Sequence, residues 1–195
     1  MWGLWAPIGD GVELSGPLPG HQQTVPRAEL WAALQAVRHA IGPVLLLIDN
    51  ELVCMGVARL GADPLRFQVD LRSEMADLWR DLQQLLLERP ASFCSAIWVP
   101  SHALEAASDP DAEEKRLAKL RRARAQQGWQ EEWLLHNDRA DKAAGRARQR
   151  HPVPTAAVER VKRVDKLAKR TLRAAVEAVE AAGRCHPGRQ RASRH

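Results

Sequence analysis

"VLLLIDN", residues 44–50, decides the fold class. Five apolar residues in a row, closed by Asp49 and Asn50, have the length of a strand and too little polarity for a surface one. Such a run suits a strand buried on both faces, as in a parallel sheet. "IGP" (41–43) stops whatever precedes it. Asn50 can cap a short helix reaching about residue 59, and "GADP" (61–64) then breaks the chain.

Working outward, Leu30, Trp31, Leu34, Val37 and Ile41 recur at helical spacing. They predict a helix over about 26–40, with Thr24 as its N-cap and Pro26 in its first turn. Upstream, "MWGLWAPI" (1–8) and "VELSG" (12–16) read as two strands joined at the "GDG" turn (9–11). Downstream, Met75, Leu78, Trp79, Leu82, Leu85 and Leu86 predict an amphipathic helix over about 72–88. "SAIWVP" (95–100) follows as another strand. Strands alternating with helices argue an α/β domain.

The pattern changes after "SHA" (101–103). Residues 109–128 are highly charged and helical in composition, an insertion. "HNDRADKAAGRARQR" (136–150) predicts a further helix with Asn137 or Asp138 as its cap. "HPVP" (151–154) reads as a linker. A long helix over 155–182 carries a stripe of Val158, Val161, Val164, Leu167, Leu172, Val176 and Val179, which suits docking on the core or on a partner. "GRCHPGRQRASRH" (183–195) is a basic tail with too little apolar content to fold by itself.

The 195 residues are 45% hydrophobic, enough for one core of roughly 100–150 residues plus extensions. The net charge of +5 is unevenly spread: residues 142–195 hold 15 Lys/Arg against 4 Asp/Glu, so the rest is acidic. A basic tail on an acidic body suits a polyanion, of which nucleic acid is the usual one, or simply a solvated tail. Cys54, Cys94 and Cys185 form no CxxC pair, so neither a zinc ribbon nor a disulfide framework is indicated. Reduced thiols imply an intracellular protein of the nucleus or cytoplasm. The N-terminus has no signal-peptide pattern, and "VLLLI" is far too short to span a bilayer, so no membrane partner is expected.

Asp49 ends the apolar strand, and open α/β sheets bind ligands at those ends. A carboxylate there is costly to desolvate without a cation. Glu29 interrupts "AELWAAL" beside the apolar stripe. Taken singly, Asp49 equally reads as a helix cap, Glu29 as a solvated glutamate, Asp141 as a surface partner for basic groups, and His102 as a loop histidine.

Taken in order, "TVPRAELWAAL" (24–34), "LLIDNELV" (46–53), "IWVPSHA" (97–103) and "NDRADKAA" (137–144) resemble type 1 ribonuclease H, which cuts the RNA strand of an RNA–DNA hybrid. The resemblance spans most of residues 1–150. It implies a ribonuclease H-like mixed sheet flanked by helices, with a helical insertion at about 104–135. Residues 151–195 would then be a basic helical extension and tail. It places Glu29, Asp49 and Asp141 at the family's second, third and fourth acidic positions and His102 at its histidine. The three carboxylates would hold Mg²⁺ or Mn²⁺, and His102 would assist proton transfer or product release. Hard dications take oxygen ligands, and two of them roughly 4 Å apart can drive phosphodiester hydrolysis. The partner would be a hybrid duplex, read by groove shape and 2′-hydroxyls with backbone contacts dominating affinity. "KRLAKLRRAR" (115–124), beside the histidine loop, would be an extra basic handle or a solvated helix laced with ion pairs.

The family's first acidic residue lies on a strand upstream of the one matched to residues 1–8, and Asp10, in the hairpin turn, is not its counterpart. The resemblance therefore implies an N-terminally truncated domain lacking a central strand. Such a chain would be a fragment of a longer protein or a degenerate remnant, for instance of a retroelement. The alternatives to a hybrid nuclease are a catalytically inactive nucleic-acid-binding remnant and a protein-interaction segment centred on residues 158–179.

Overall fold

The computed structural model describes residues 1–8, 10–20, 22–151 and 155–184. The linker proline at 152, its neighbours to 154, and residues 185–195 of the basic tail, Cys185 included, lie outside the described residues. The chain divides into two units, Met1–His151 and Pro152–His195.

The first unit is mixed α/β. Its elements are β1 (Trp2–Ala6), β2 (Val12–Gly16), α1 (Val25–His39), β3 (Val44–Ile48), α2 (Glu51–Ala62), α3 (Ala76–Leu87), β4 (Cys94–Trp98), α4 (Pro110–Arg124) and α5 (Trp133–Arg150). β1 pairs antiparallel with β2, Trp2 opposite Gly16, and β3 pairs parallel with β4, Val44 opposite Cys94. The two pairs are separate two-stranded sheets, with no ladder between them.

Most of the buried apolar surface lies around β3. Leu30, Leu34 and Val37 of α1, Val57 and Leu60 of α2, and Leu82 of α3 are all fully buried. Burying each leucine stabilises the fold by about 1.5–3 kcal/mol. A smaller cluster joins Val99 and Leu120 to Trp133 and Leu134 of α5. Arg27 ties α1 to α3 through a two-pronged contact with Asp77, at 2.8 and 2.5 Å. Near the helix ends, Asn50 caps α2 by accepting from the Val53 N–H at 3.1 Å, as its place after the strand predicts. Asp109 does the same for α4 at Ala112, 2.8 Å.

Four expectations need correction. Thr24 occupies the cap position of α1 but makes no side-chain cap hydrogen bond. α3 begins at Ala76, because Asp70 and Ser73 hold the preceding residues in turns. α5 begins at Trp133, four residues before the expected cap at Asn137. The buried Trp133 and Leu134 draw that turn into the helix, and Asn137 becomes a buried interior residue. β3 is a strand in a parallel pair, but it is not buried on both faces: Leu45 is 45% exposed.

The second unit contains α6 (Thr155–Arg184). Val161, Val164, Leu167, Leu172 and Val176 of its stripe are exposed. The remaining stripe positions, 158 and 179, have side chains outside the described set. Among the described residues no helix is long and apolar enough to cross a membrane.

Candidate carboxylate site

Glu29 of α1, Asp49 after β3, His102 after β4 and Asp141 of α5 converge: Asp49 and Asp141 each lie within electrostatic reach of Glu29 and of His102. Each is placed for a local reason. Glu29 rides on α1, whose opposite side is fixed by the buried leucines and the Arg27–Asp77 clasp. Asp49 follows the last residue of β3. Its carbonyl accepts from the Trp98 indole N–H at 2.9 Å, which ties the end of β3 to the end of β4. The first main-chain N–H beyond it, that of Asn50, donates to the Glu29 carboxylate at 2.9 Å. Thus α1, β3 and the start of α2 meet at one carboxyl group.

Asp141 comes from α5, which lies hard against β1. A Cβ on Gly3 would fall 2.4 Å from the Ala144 nitrogen and 2.7 Å from the Ala140 oxygen, so only glycine permits this approach. Trp5 locks the same contact: its ring is 4.7 Å from that of His136, and the Arg139 guanidinium sits 4.5 Å above it. His102 stands in the turn after β4 with a left-handed backbone (φ 52°), a conformation uncommon outside glycine. Arg116 of α4 holds this turn by donating to the Ala103 carbonyl at 2.7 Å. The His102 ring contacts Glu105 at 2.9 Å, and His102 and Asp141 line one small cleft.

The electrostatics follow from burial first and from crowded like charges second. Burial pushes Glu29 up to about 8, followed by the charge of Asp49 and a hydrogen bond to it; the Asn50 N–H opposes the shift and Asp141 adds to it. Asp141 is pushed up to about 6 by the protein around it and then by Asp49, with His102 pulling the other way. Much of the Asp141 surface is open to solvent, so the charge of Asp49 is the firmer of the two causes. The His102 pKa is raised by its contact with Glu105 and further by the charges of Glu105, Asp141 and Asp49.

A second cleft opens beside Asp49 and is lined by Glu51, Trp98, Ser101, Lys119 and Arg122. Arg122 lies 3.9 Å over the Trp98 ring and donates to Glu51 at 2.8 Å. The charged stretch 115–124 thus places two cations along the edge of the carboxylate site. The sequence marks 115–124 as a basic handle without distinguishing Lys119 and Arg122 within it, and it does not single out Trp98 or Glu105. The signals were faint: a basic pair at i, i+3 in "KLRR", and a His-x-x-Glu spacing in "HALE".

As they stand, no three His, Cys, Asp or Glu side chains among the described residues form a ready cage for a metal ion. The donor set nevertheless suits a hard dication. It is all oxygen, and burial followed by the Asp49 charge raises both Glu29 and Asp141. Cys54 and Cys94 are buried, and burial pushes both thiols up to about 11, so neither offers a thiolate to a metal or a substrate.

Comparison with protein-family models, with curated proteins and with solved structures finds no match to this chain.

Proposed function

We propose that residues 1–151 form a ribonuclease H-like domain whose site serves metal-dependent hydrolysis of the RNA strand of RNA–DNA hybrids. The observation that carries this reading is the meeting of Glu29, Asp49 and Asp141, from α1, β3 and α5, with His102 beside them. The order and chemistry of these residues are those of the family the sequence resembles.

Glu29, Asp49 and Asp141 would hold Mg²⁺ or Mn²⁺. Bound dications supply a water-derived nucleophile and stabilise the leaving oxygen. The chain's own residues do the rest. The Asn50 N–H keeps the Glu29 carboxylate turned toward Asp49. His102, its pKa raised by its contact with Glu105, is the residue suited to passing a proton at the cleft it shares with Asp141. Lys119 and Arg122 flank Asp49, where they suit a phosphate backbone.

The second reading is a binder of nucleic acid without activity. The division of the strands into two separate pairs favours it, because an incomplete sheet holds its carboxylates less firmly. A labelled RNA–DNA hybrid, incubated with the chain and Mg²⁺ or Mn²⁺, separates the two. Metal-dependent cutting that Asp49→Asn abolishes supports the nuclease. Binding without cutting by the folded chain rejects it in favour of the binder.

A further inference from the structure

α6 is a charged helix with one apolar side. Val161, Val164, Leu172 and Val176 recur at close to whole helical turns, which puts them on one face. All four are exposed. Ala168 and Ala175 lie between them on the same face, also exposed. From Val161 to Val176 the stripe runs about 22 Å at about 1.5 Å per residue. Single exposed apolar residues are ordinary on a protein surface, but a continuous stripe of them marks something that covers it.

Around the stripe the helix is cationic. Residues 159–177 hold seven Lys/Arg against three Asp/Glu. Helical spacing sets Lys162, Lys169 and Arg173 along one border of the stripe and Arg160 along the other. Two of the three acids are tied to near neighbours. Lys162 donates to Glu159 at 3.1 Å, and Lys169 donates to Asp165 at 2.7 Å. Asp165 is the acid nearest the stripe, and Lys169 neutralises it in place.

We propose that α6 docks on the surface of an anionic lipid bilayer, its apolar stripe at the boundary of headgroups and acyl chains and its bordering cations among the lipid phosphates. No described helix is long and apolar enough to cross a bilayer. Lying on one asks only for a basic helix with one apolar side, its long cationic side chains reaching the headgroups. Charge and side-chain shape decide between occupants. A second copy would set seven cations against seven. A nucleic-acid duplex would meet the cations and leave the stripe in water. A groove in an acidic protein grips bulky anchors, and α6 has no aromatic or methionine side chain to supply one. A bilayer needs apolar area and positive charge but no fitted pocket, and valine, alanine and lysine provide these. The inference does not rest on the nuclease reading and concerns the second unit alone.

Flotation of the full chain with lipid vesicles tests it. One set is about a quarter phosphatidylserine in phosphatidylcholine, and the other is phosphatidylcholine alone. The chain binds the anionic set at least about tenfold more tightly, and about 0.5 M salt releases it. Val164→Gln and Leu172→Gln together weaken that binding at least about tenfold, with helix content by circular dichroism unchanged. No binding to the anionic set, or equal binding to both sets, overturns the proposal. Binding that the glutamine pair leaves intact overturns it too, because the basic residues would then act as a plain polycation. Without vesicles, the pair leaves the melting temperature and the mass in solution unchanged. A fall in melting temperature would assign the stripe to residues 1–151, and a loss of dimers would assign it to a second copy; either overturns the proposal. The pair leaves hybrid cleavage at its starting level, so the two readings fail separately.

Discussion

The Glu29 carboxylate accepts a hydrogen bond from the Asn50 main-chain N–H at 2.9 Å, so the first long helix and the end of the apolar strand share one half-buried acid. That acid is held up at about 8 against a usual value of 4.5. Between those two values the folded chain keeps a proton that the unfolded chain releases. The cluster therefore stabilises the fold below pH 4.5 and loses that contribution as pH rises through 8. We expect Glu29→Gln to raise the melting temperature at pH 8 and to change it little at pH 4.5. Thermal unfolding followed by circular dichroism at the two pH values checks this. Equal effects at both would mean that Glu29 is not held protonated.

Gly61 and Gly145 are both helical, and intrinsic propensity favours alanine over glycine by about 1 kcal/mol in each. Their surroundings oppose each other. A Cβ at Gly61 would lie 2.2 Å from the Cys94 carbonyl oxygen, whereas one at Gly145 meets nothing within 4 Å. Gly61→Ala should destabilise by about 1–3 kcal/mol, because α2 must lift from β4. Gly145→Ala should stabilise by about 0.5–1 kcal/mol. Urea denaturation of both variants gives the two signs directly.

Lys119 and Arg122 line the cleft beside Asp49. If they meet a hybrid's backbone, Arg122→Gln lowers affinity at all sequences and flattens the dependence of log K on log salt by about 0.9. Fluorescence anisotropy with one labelled hybrid over a salt series measures both. An unchanged slope would remove Arg122 from the interface.

His102 is raised chiefly by its contact with Glu105. Glu105→Gln should therefore bring its titration down toward the ordinary histidine value, as NMR of the ring protons would show. The Asp49 and Asp141 charges remain, so a part of the rise persists.

The sequence made the local features legible. Asn50 caps α2 because a short amide after a strand has few other uses. Glu29, Asp49, His102 and Asp141 could be picked out in order, and the structure gathers them. What stayed hidden was long-range. Nothing in "VLLLI" says which of its edges is paired, so its half-open state could not be read from its apolarity. The early start of α5 depends on a pocket for Trp133 made by Val99 and Leu120, distant in the chain. The Arg122–Trp98 stack joins an insertion to a strand and has no signature in either.

The central claim is that Glu29, Asp49 and Asp141 act as one cation-holding group. Titration of the chain with Mn²⁺, followed by electron paramagnetic resonance, tests it most directly, with Glu29→Gln, Asp49→Asn and the distant, exposed Glu88→Gln compared. The account predicts saturable binding, weakened at least about tenfold (about 1.4 kcal/mol) by each of the first two changes and unaltered by the third. Binding that does not saturate, or that all three variants share equally, would contradict it.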